Sequence, residues 1–180
     1  MDSDIQTKIQ EAKEWLKKEY AGIRTGQASP SLLDNIKVDS YGTMSPINQV
    51  GTVGVEDAKT LRVSVWDSSQ IQAIETAISE ADLGVSVATD SAGLRVIFPE
   101  LTADRREQLL KLAKSKLEDA RITVRSIRDD AMKAIDKEEK DGDISEDEKF
   151  TQKEAVQKQI DGANKELEEL FASKESELKQ

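Results

Sequence analysis

Apolar residues open the chain at a helical spacing: Ile5, Ile9, Ala12, Leu16 and, one heptad on, Ile23. Steps of three, four or their sum keep one face apolar, so the pattern predicts a single amphipathic helix ending near Arg24. From Thr102 the pattern is unbroken, with Leu110, Ala113, Leu117, Ala120, Val124, Ile127, Ala131 and Ala134 alternating three and four apart. This is an a/d heptad seam, and its four alanines let a neighbouring helix approach closely. Thr102 is placed to cap the N-terminus and Gly142 to stop the helix. A third helix begins at Ser145, which has capping-box spacing to Glu148, and carries Val156, Ile160, Ala163, Leu167 and Leu170 on one stripe. Helices with such narrow stripes are marginal alone and stable when they bury a shared seam, which predicts an antiparallel three-helix bundle.

Residues 30–101 change period. Ile36 and Val38 alternate with polar neighbours, as do Leu61, Val63 and Val65, and Leu94 to Phe98 is a short apolar run stopped by Pro99. These read as strands. One helix lies between Trp66 and Gly84, with Ile71, Ile74, Ile78 and Ala81 on one face. The expected fold is therefore α+β with two domains. A discontinuous three-helix bundle spans 1–29 and 102–180, and a small strand-rich α/β domain of residues 30–101 is inserted in it. Gly26 is expected to end the first helix in a left-handed conformation, and Pro30 biases Ser29 away from helix. The chain crosses between the domains twice, at Gly26, Gln27, Ala28, Ser29 and Pro30 and at Pro99, Glu100 and Leu101, an arrangement that permits hinge motion.

Composition removes several functions. With no cysteine and no histidine, the chain lacks disulfides, thiolate nucleophiles, Cys-based metal sites, the commonest metal ligand and the usual neutral-pH base. No apolar run is long enough to span a membrane, and the first ten residues resemble neither a signal nor a transit peptide, so a cytoplasmic location is expected. The net charge of −10 argues at first against a nucleic-acid partner. Its distribution argues the other way. Arg105 to Arg128 holds eight basic residues against three acids, a local +5, whereas residues 30–101 and 133–180 each carry −6. Lys111, Lys114, Arg121, Arg125 and Arg128 each follow a seam residue by one position and form a stripe broken by Glu118. The stripe is either a contact for polyanion or a solvated face with scattered ion pairs.

Other candidates are weaker. Val53 to Thr60 mimics a phosphate loop, yet Val53 and Ala58 fill both required glycine positions, so a turn before a strand is expected. Lys137 to Glu148 mimics a calcium loop, yet Lys137 stands at the first ligand position, and a helix-connecting turn is the better reading. Acidic neighbours such as Asp129 and Asp130 diverge by about 100° on a helix and do not converge on one atom. Trp15, Tyr20 and Trp66 are read as packing residues, with base stacking as the alternative.

The string Ile23 Arg24 Thr25 Gly26 Gln27 Ala28 Ser29 Pro30 Ser31 Leu32 Leu33 resembles the start of the hinge in the bacterial ribosome recycling factor family. Further similarities run in order along the chain. They include Tyr41 Gly42, Asp82 Leu83 Gly84, Leu101 Thr102, Arg105 Arg106, Val124 Arg125, Arg128 and Ile144 to Asp147. The resemblance implies a factor that binds the post-termination ribosome, with its bundle along large-subunit rRNA. It implies that elongation factor G, which hydrolyses the GTP, helps it split the subunits and release mRNA and tRNA. It further implies no catalysis, cofactor or metal in the factor itself, a monomeric state, and rRNA contacts at Arg106, Arg125 and Arg128. Lys111, Lys114 and Arg121 join these through the stripe. The position after Arg128 is commonly Arg in the family and is Asp129 here, which weakens the expected local contact. Competing readings are an RNA-binding chaperone-like module and a helical protein-binding scaffold.

Overall fold

A computed structural model describes residues 2–180. The elements in chain order are α1 (Asp2–Ala21), β1 (Lys37–Ser40), β2 (Thr43–Pro46), β3 (Gly51–Asp57), β4 (Thr60–Val65), α2 (Ile71–Glu80), β5 (Ser86–Thr89), β6 (Gly93–Ile97), α3 (Ala103–Lys140) and α4 (Glu146–Lys179). The class is α+β. The chain forms two compact units, one from residues up to Tyr20 with Leu110–Ser176, the other from Ala21–Leu109 with Glu177–Gln180. These limits lie at 20 and 110, where the sequence pattern changes at 29 and 102. Among the described residues no helix is long and apolar enough to cross a membrane.

The first unit is helical. Its core is made by Ile5, Ile9, Ala12, Leu16 and Tyr20 of α1, Ala113, Leu117, Ala120, Val124, Ala131 and Ile135 of α3, and Val156, Ile160, Ala163 and Leu167 of α4. Cross-helix pairs set the directions. Arg121 meets Glu168 and Lys153 meets Asp136, so α3 and α4 are antiparallel. Lys116 meets Glu19, while Ser3 and Ile135 line one cavity, so α1 is also antiparallel to α3. The expected seam holds in the middle of α3 except at Ile127, which is only half-buried, and it moves at the ends. Leu110 is half-buried and Ala134 exposed, while Leu109 and Ile135 are buried instead. A straight helix of 3.6 residues per turn drifts about 20° per heptad, so a strict a/d count leaves the core after a few turns. Tyr20 fills the gap between Leu16 and Ile23, its hydroxyl donating to the Ala113 carbonyl at 2.8 Å. Burial raises the Tyr20 pKa to about 12, against the opposing pull of Arg121.

The α3–α4 connection is a turn with a built cap. Gly142 has φ 82, the Ser145 amide donates to Glu148 at 2.7 Å, and the Glu148 amide donates to the Ser145 hydroxyl at 3.1 Å. The Ser145 amide, and after it the Ser145 hydroxyl, hold the Glu148 carboxyl below its ordinary range. The last carboxylate of the calcium-loop lookalike is thus engaged by backbone.

The second unit holds a two-stranded hairpin, β1–β2, and a four-stranded antiparallel sheet in the order β3-β4-β6-β5. Tyr41 and Gly42 both have positive φ, 51 and 82, the two-residue turn that matches strand twist. Leu61, Val63, Leu94 and Val96 from the sheet, with Phe98 just after it, pack with Ile74 and Ile78 of α2 and with Leu32, Leu33, Val38 and Ile47. Ala81 is exposed and caps α2 rather than joining its buried face. At Gly93 a Cβ would lie 2.0 Å from the Val63 carbonyl oxygen, so only glycine lets β6 approach β4 there. Val53 to Thr60 is the β3–β4 hairpin, with an irregular register between Val55 and Asp57. Helix α1 ends at Ala21, and Gly26 does not adopt the expected left-handed conformation. What anchors this stretch is Arg24, only 7% exposed. Its guanidinium donates to the carbonyls of Gly84, at 2.8 Å, and Pro99, and lies 5.5 Å from the centre of the Phe98 ring.

Candidate nucleic-acid interface

Helix α3 positions the basic stripe by periodicity alone. Lys114, Arg121, Arg125 and Arg128 are separated by seven, four and three residues, so they share a line one position past the buried seam. The seam residues Ala113, Ala120 and Val124 are fully buried, which fixes the direction in which the following cations project. Lys111, Lys114 and Arg125 are exposed, and Arg121 and Arg128 are partly so.

The cations differ in what they already touch. Arg121 Nη2 lies 2.5 Å from Glu168 Oε1 on α4, and Arg128 Nη2 lies 3.1 Å from Asp129 Oδ1. Lys116 is held by Glu19 at 3.3 Å. Lys114 and Arg125 have no ion-pair partner among the described residues. Charge that is not neutralised at home is the charge that releases counterions from a polyanion, so Lys114 and Arg125 dominate the stripe. Asp129 pairs with its neighbour Arg128 and thereby discounts it.

Arg106 belongs to the other unit. It lines a cleft of about 670 Å³ with Thr25, Gly26, Gln27, Ala28, Ser29, Lys59, Glu100 and Leu101. Its Nη2 reaches the Gln180 carbonyl at 3.5 Å, and its buried Nε has no partner. The same cleft therefore gathers Arg106 with most of the residues expected to cross between the domains, and all of them lie within the second unit. There the Ala28 amide donates to the Ala58 carbonyl at 2.8 Å, the Ser29 and Ser31 hydroxyls are 2.8 Å apart, and Glu100 pairs with Lys59 at 3.0 Å. That pairing holds the Glu100 carboxyl below its ordinary range. Pro30 starts a short 3₁₀ turn, and Pro99 accepts from Arg24.

Arg24 and Glu168 escape a reading of the sequence. Each acts through a partner far along the chain, 60 and 75 residues for the carbonyls that Arg24 binds and 47 for the arginine that Glu168 binds. Trp15 and Trp66 depart from the packing expectation, being 38% and 66% exposed.

Residues 16–178 match the sequence profile of the family described as Ribosome recycling factor. A ribosome-recycling factor of Rhodospirillum centenum is 48% identical over 169 residues, 94% of this chain and 91% of that protein. One from Maricaulis maris is 41% identical over 179 residues, 99% of this chain and 96% of that protein. The solution structure of a ribosome recycling factor superposes with a TM-score of 0.77 at 38% identity, covering 98% of this chain and 94% of the other. The T. thermophilus ribosome recycling factor, described with E. coli elongation factor G bound to the E. coli post-termination complex, superposes with a TM-score of 0.67 at 35% identity, covering 98% and 95%. Profile, full-length relatives and fold agree: the chain belongs to the ribosome recycling factor family.

Proposed function

We propose that this chain docks on the post-termination ribosome through the Lys111–Arg128 face of α3, set against large-subunit rRNA. With elongation factor G and GTP it then separates the subunits, freeing mRNA and tRNA. A role in ribosome recycling, as a non-enzymatic factor of protein biosynthesis, follows from its family. The factor acts as a monomer, with a hinge at Gly26–Pro30 and Pro99–Leu101. The observation that carries it is the pair of exposed, unneutralised cations, Lys114 and Arg125, on one line of a chain whose net charge is −10. A polyanion is attracted to that line and repelled by the acidic remainder, so contact is oriented rather than indiscriminate.

The test is cosedimentation with large subunits across a salt series, followed by light-scattering detection of subunit splitting with elongation factor G and GTP. The Arg125→Ala variant is expected to fold normally, bind more weakly and show a log–log salt slope shallower by about 1. Unchanged affinity and slope would remove the stripe. Binding without factor-dependent splitting would favour an RNA-chaperone role.

A further inference from the structure

We infer that the groove between α1 and α3 is a socket for the arginine side chain of a basic polypeptide. It lies on the flank of α3 that faces α1, whereas Arg121 and Arg125 lie on the flank that faces α4. Its volume is about 400 Å³, and its lining is Lys8, Glu11, Ala12 and Trp15 of α1 with Asp119, Thr123 and Ile127 of α3. Trp15 is a large aromatic side chain left 38% exposed in a helical unit whose other long apolar side chains on α1 are buried.

Charge selects the occupant. The two cations near the groove already have acidic partners: Lys8 pairs with Asp4 at 3.3 Å, and Lys116 pairs with Glu19 at 3.3 Å. Lys116 Nζ also sits 5.8 Å from the centre of the Trp15 ring, a distance at which an indole attracts a cation. Glu11 and Asp119 have no ion-pair partner among the described residues, one on each wall. The groove therefore presents an indole, two unneutralised carboxylates and an apolar wall of Ala12 and Ile127. A guanidinium satisfies all three at once. It stacks on indole, forks to carboxylate, and lays its aliphatic stem on apolar surface. A lysine ammonium is a point charge that cannot stack and fork together. A nucleotide would bring its phosphate against both carboxylates. The bundle thus carries flanks of opposite preference, one for polyanion and one for a basic protein segment.

Trp15 becomes the sole tryptophan in the full chain carrying Trp66→Phe, a change at a 66% exposed position. Its fluorescence is followed during titration at fixed ionic strength with acetyl-Gly-Arg-Gly-amide, the matched lysine peptide and an oligouridylate. The arginine peptide is expected to give a saturable change at least about fivefold tighter than the lysine peptide. Adding Glu11→Gln and Asp119→Asn is expected to weaken it about tenfold. Equal response to both peptides, no saturation with arginine, an undiminished response in the Gln/Asn variant, or saturation by the oligouridylate instead would each overturn the socket. None of these outcomes bears on the α3 stripe, which ribosome cosedimentation tests separately.

Discussion

Arg121 and Glu168, 47 residues apart in sequence, meet across α3 and α4 at 2.5 Å. The pair places a carboxylate on the face that the basic stripe would present to phosphate, so it sets how much positive charge that face offers. Exposed pairs of this kind contribute little to stability, about 0–1 kcal/mol, because solvent screens them and ordering two long side chains costs entropy. Their effect on a polyanion is larger, since every neutralised cation is one counterion fewer to release. The Glu168→Gln variant should therefore keep nearly the same thermal midpoint. It should bind large subunits more tightly at low salt, with a log–log salt slope steeper by up to about 1. An unchanged slope would mean that Arg121 lies outside the contact.

Asp90 accepts two bonds from Arg62, at 2.6 and 2.9 Å, and one each from the Ala92 and Gly93 amides, at 2.9 and 3.0 Å. The Arg62 guanidinium, then the backbone amides, hold its carboxyl well below the ordinary carboxylate range. A depressed folded-state pKa stabilises above the unfolded value, near 4, and that contribution is lost as pH falls through the folded value. Urea unfolding of the wild type and Asp90→Asn should accordingly show a stability gap at pH 6 that narrows at about pH 2–3. A gap that stays constant or widens on acidification would contradict this assignment.

The helical half of the fold is legible because its signal is local. Ala113, Leu117, Ala120 and Val124 declare their face within a few turns, and Ser145 with Glu148 declares a start within four residues. The ends of α3 are misread because a heptad count ignores helical drift, so Leu109 and Ile135 replace Leu110 and Ala134. The edge strands β3 and β5 are harder to see. Their exposed positions, such as Val55, Glu56 and Ala88, break the alternation expected of a half-buried strand. In the candidate interface the cations are legible and their counter-ions are not. Arg121 announces itself one residue after Ala120, but nothing local announces Glu168. Gly26 suggests a helix end, whereas Arg24 anchors the stretch through carbonyls that only the folded chain brings to it.

Arg24 supplies the corresponding stability test. Its buried fork meets the Gly84 and Pro99 carbonyls and its face meets Phe98, a geometry that an ammonium cannot reproduce. Arg24→Ala and Arg24→Lys should both lower unfolding free energy by about 1–3 kcal/mol, lysine recovering only part of the loss. Chemical denaturation followed by circular dichroism checks this. A lysine variant as stable as the wild type would show that charge alone, not the fork, matters at this position.

Asp129 decides the strength of the stripe's far end. Its Oδ1 lies 3.1 Å from Arg128 Nη2, and both side chains are substantially exposed. Replacing it with arginine removes one negative charge, adds one positive charge and releases Arg128. At about 8 Å from one phosphate, in a dielectric near that of water, each unit of charge contributes roughly 0.5 kcal/mol before screening. The two units together amount to a few-fold tighter large-subunit binding at low salt, fading as salt rises. Two effects oppose this gain. The Arg128–Asp129 contact is lost, but an exposed pair is worth only about 0–1 kcal/mol. Like charges then adjoin on the helix, yet neighbours in sequence point about 100° apart and do not face each other. The variant is thus expected to lose little thermal stability while its salt slope steepens. If Asp129 serves only to steady Arg128 in a solvated face, the result reverses: slightly lower thermal stability and no gain in affinity. Binding of both proteins across a salt series separates the two, and equal or weaker binding by Asp129→Arg at low salt would rule out phosphate contact at this end of α3.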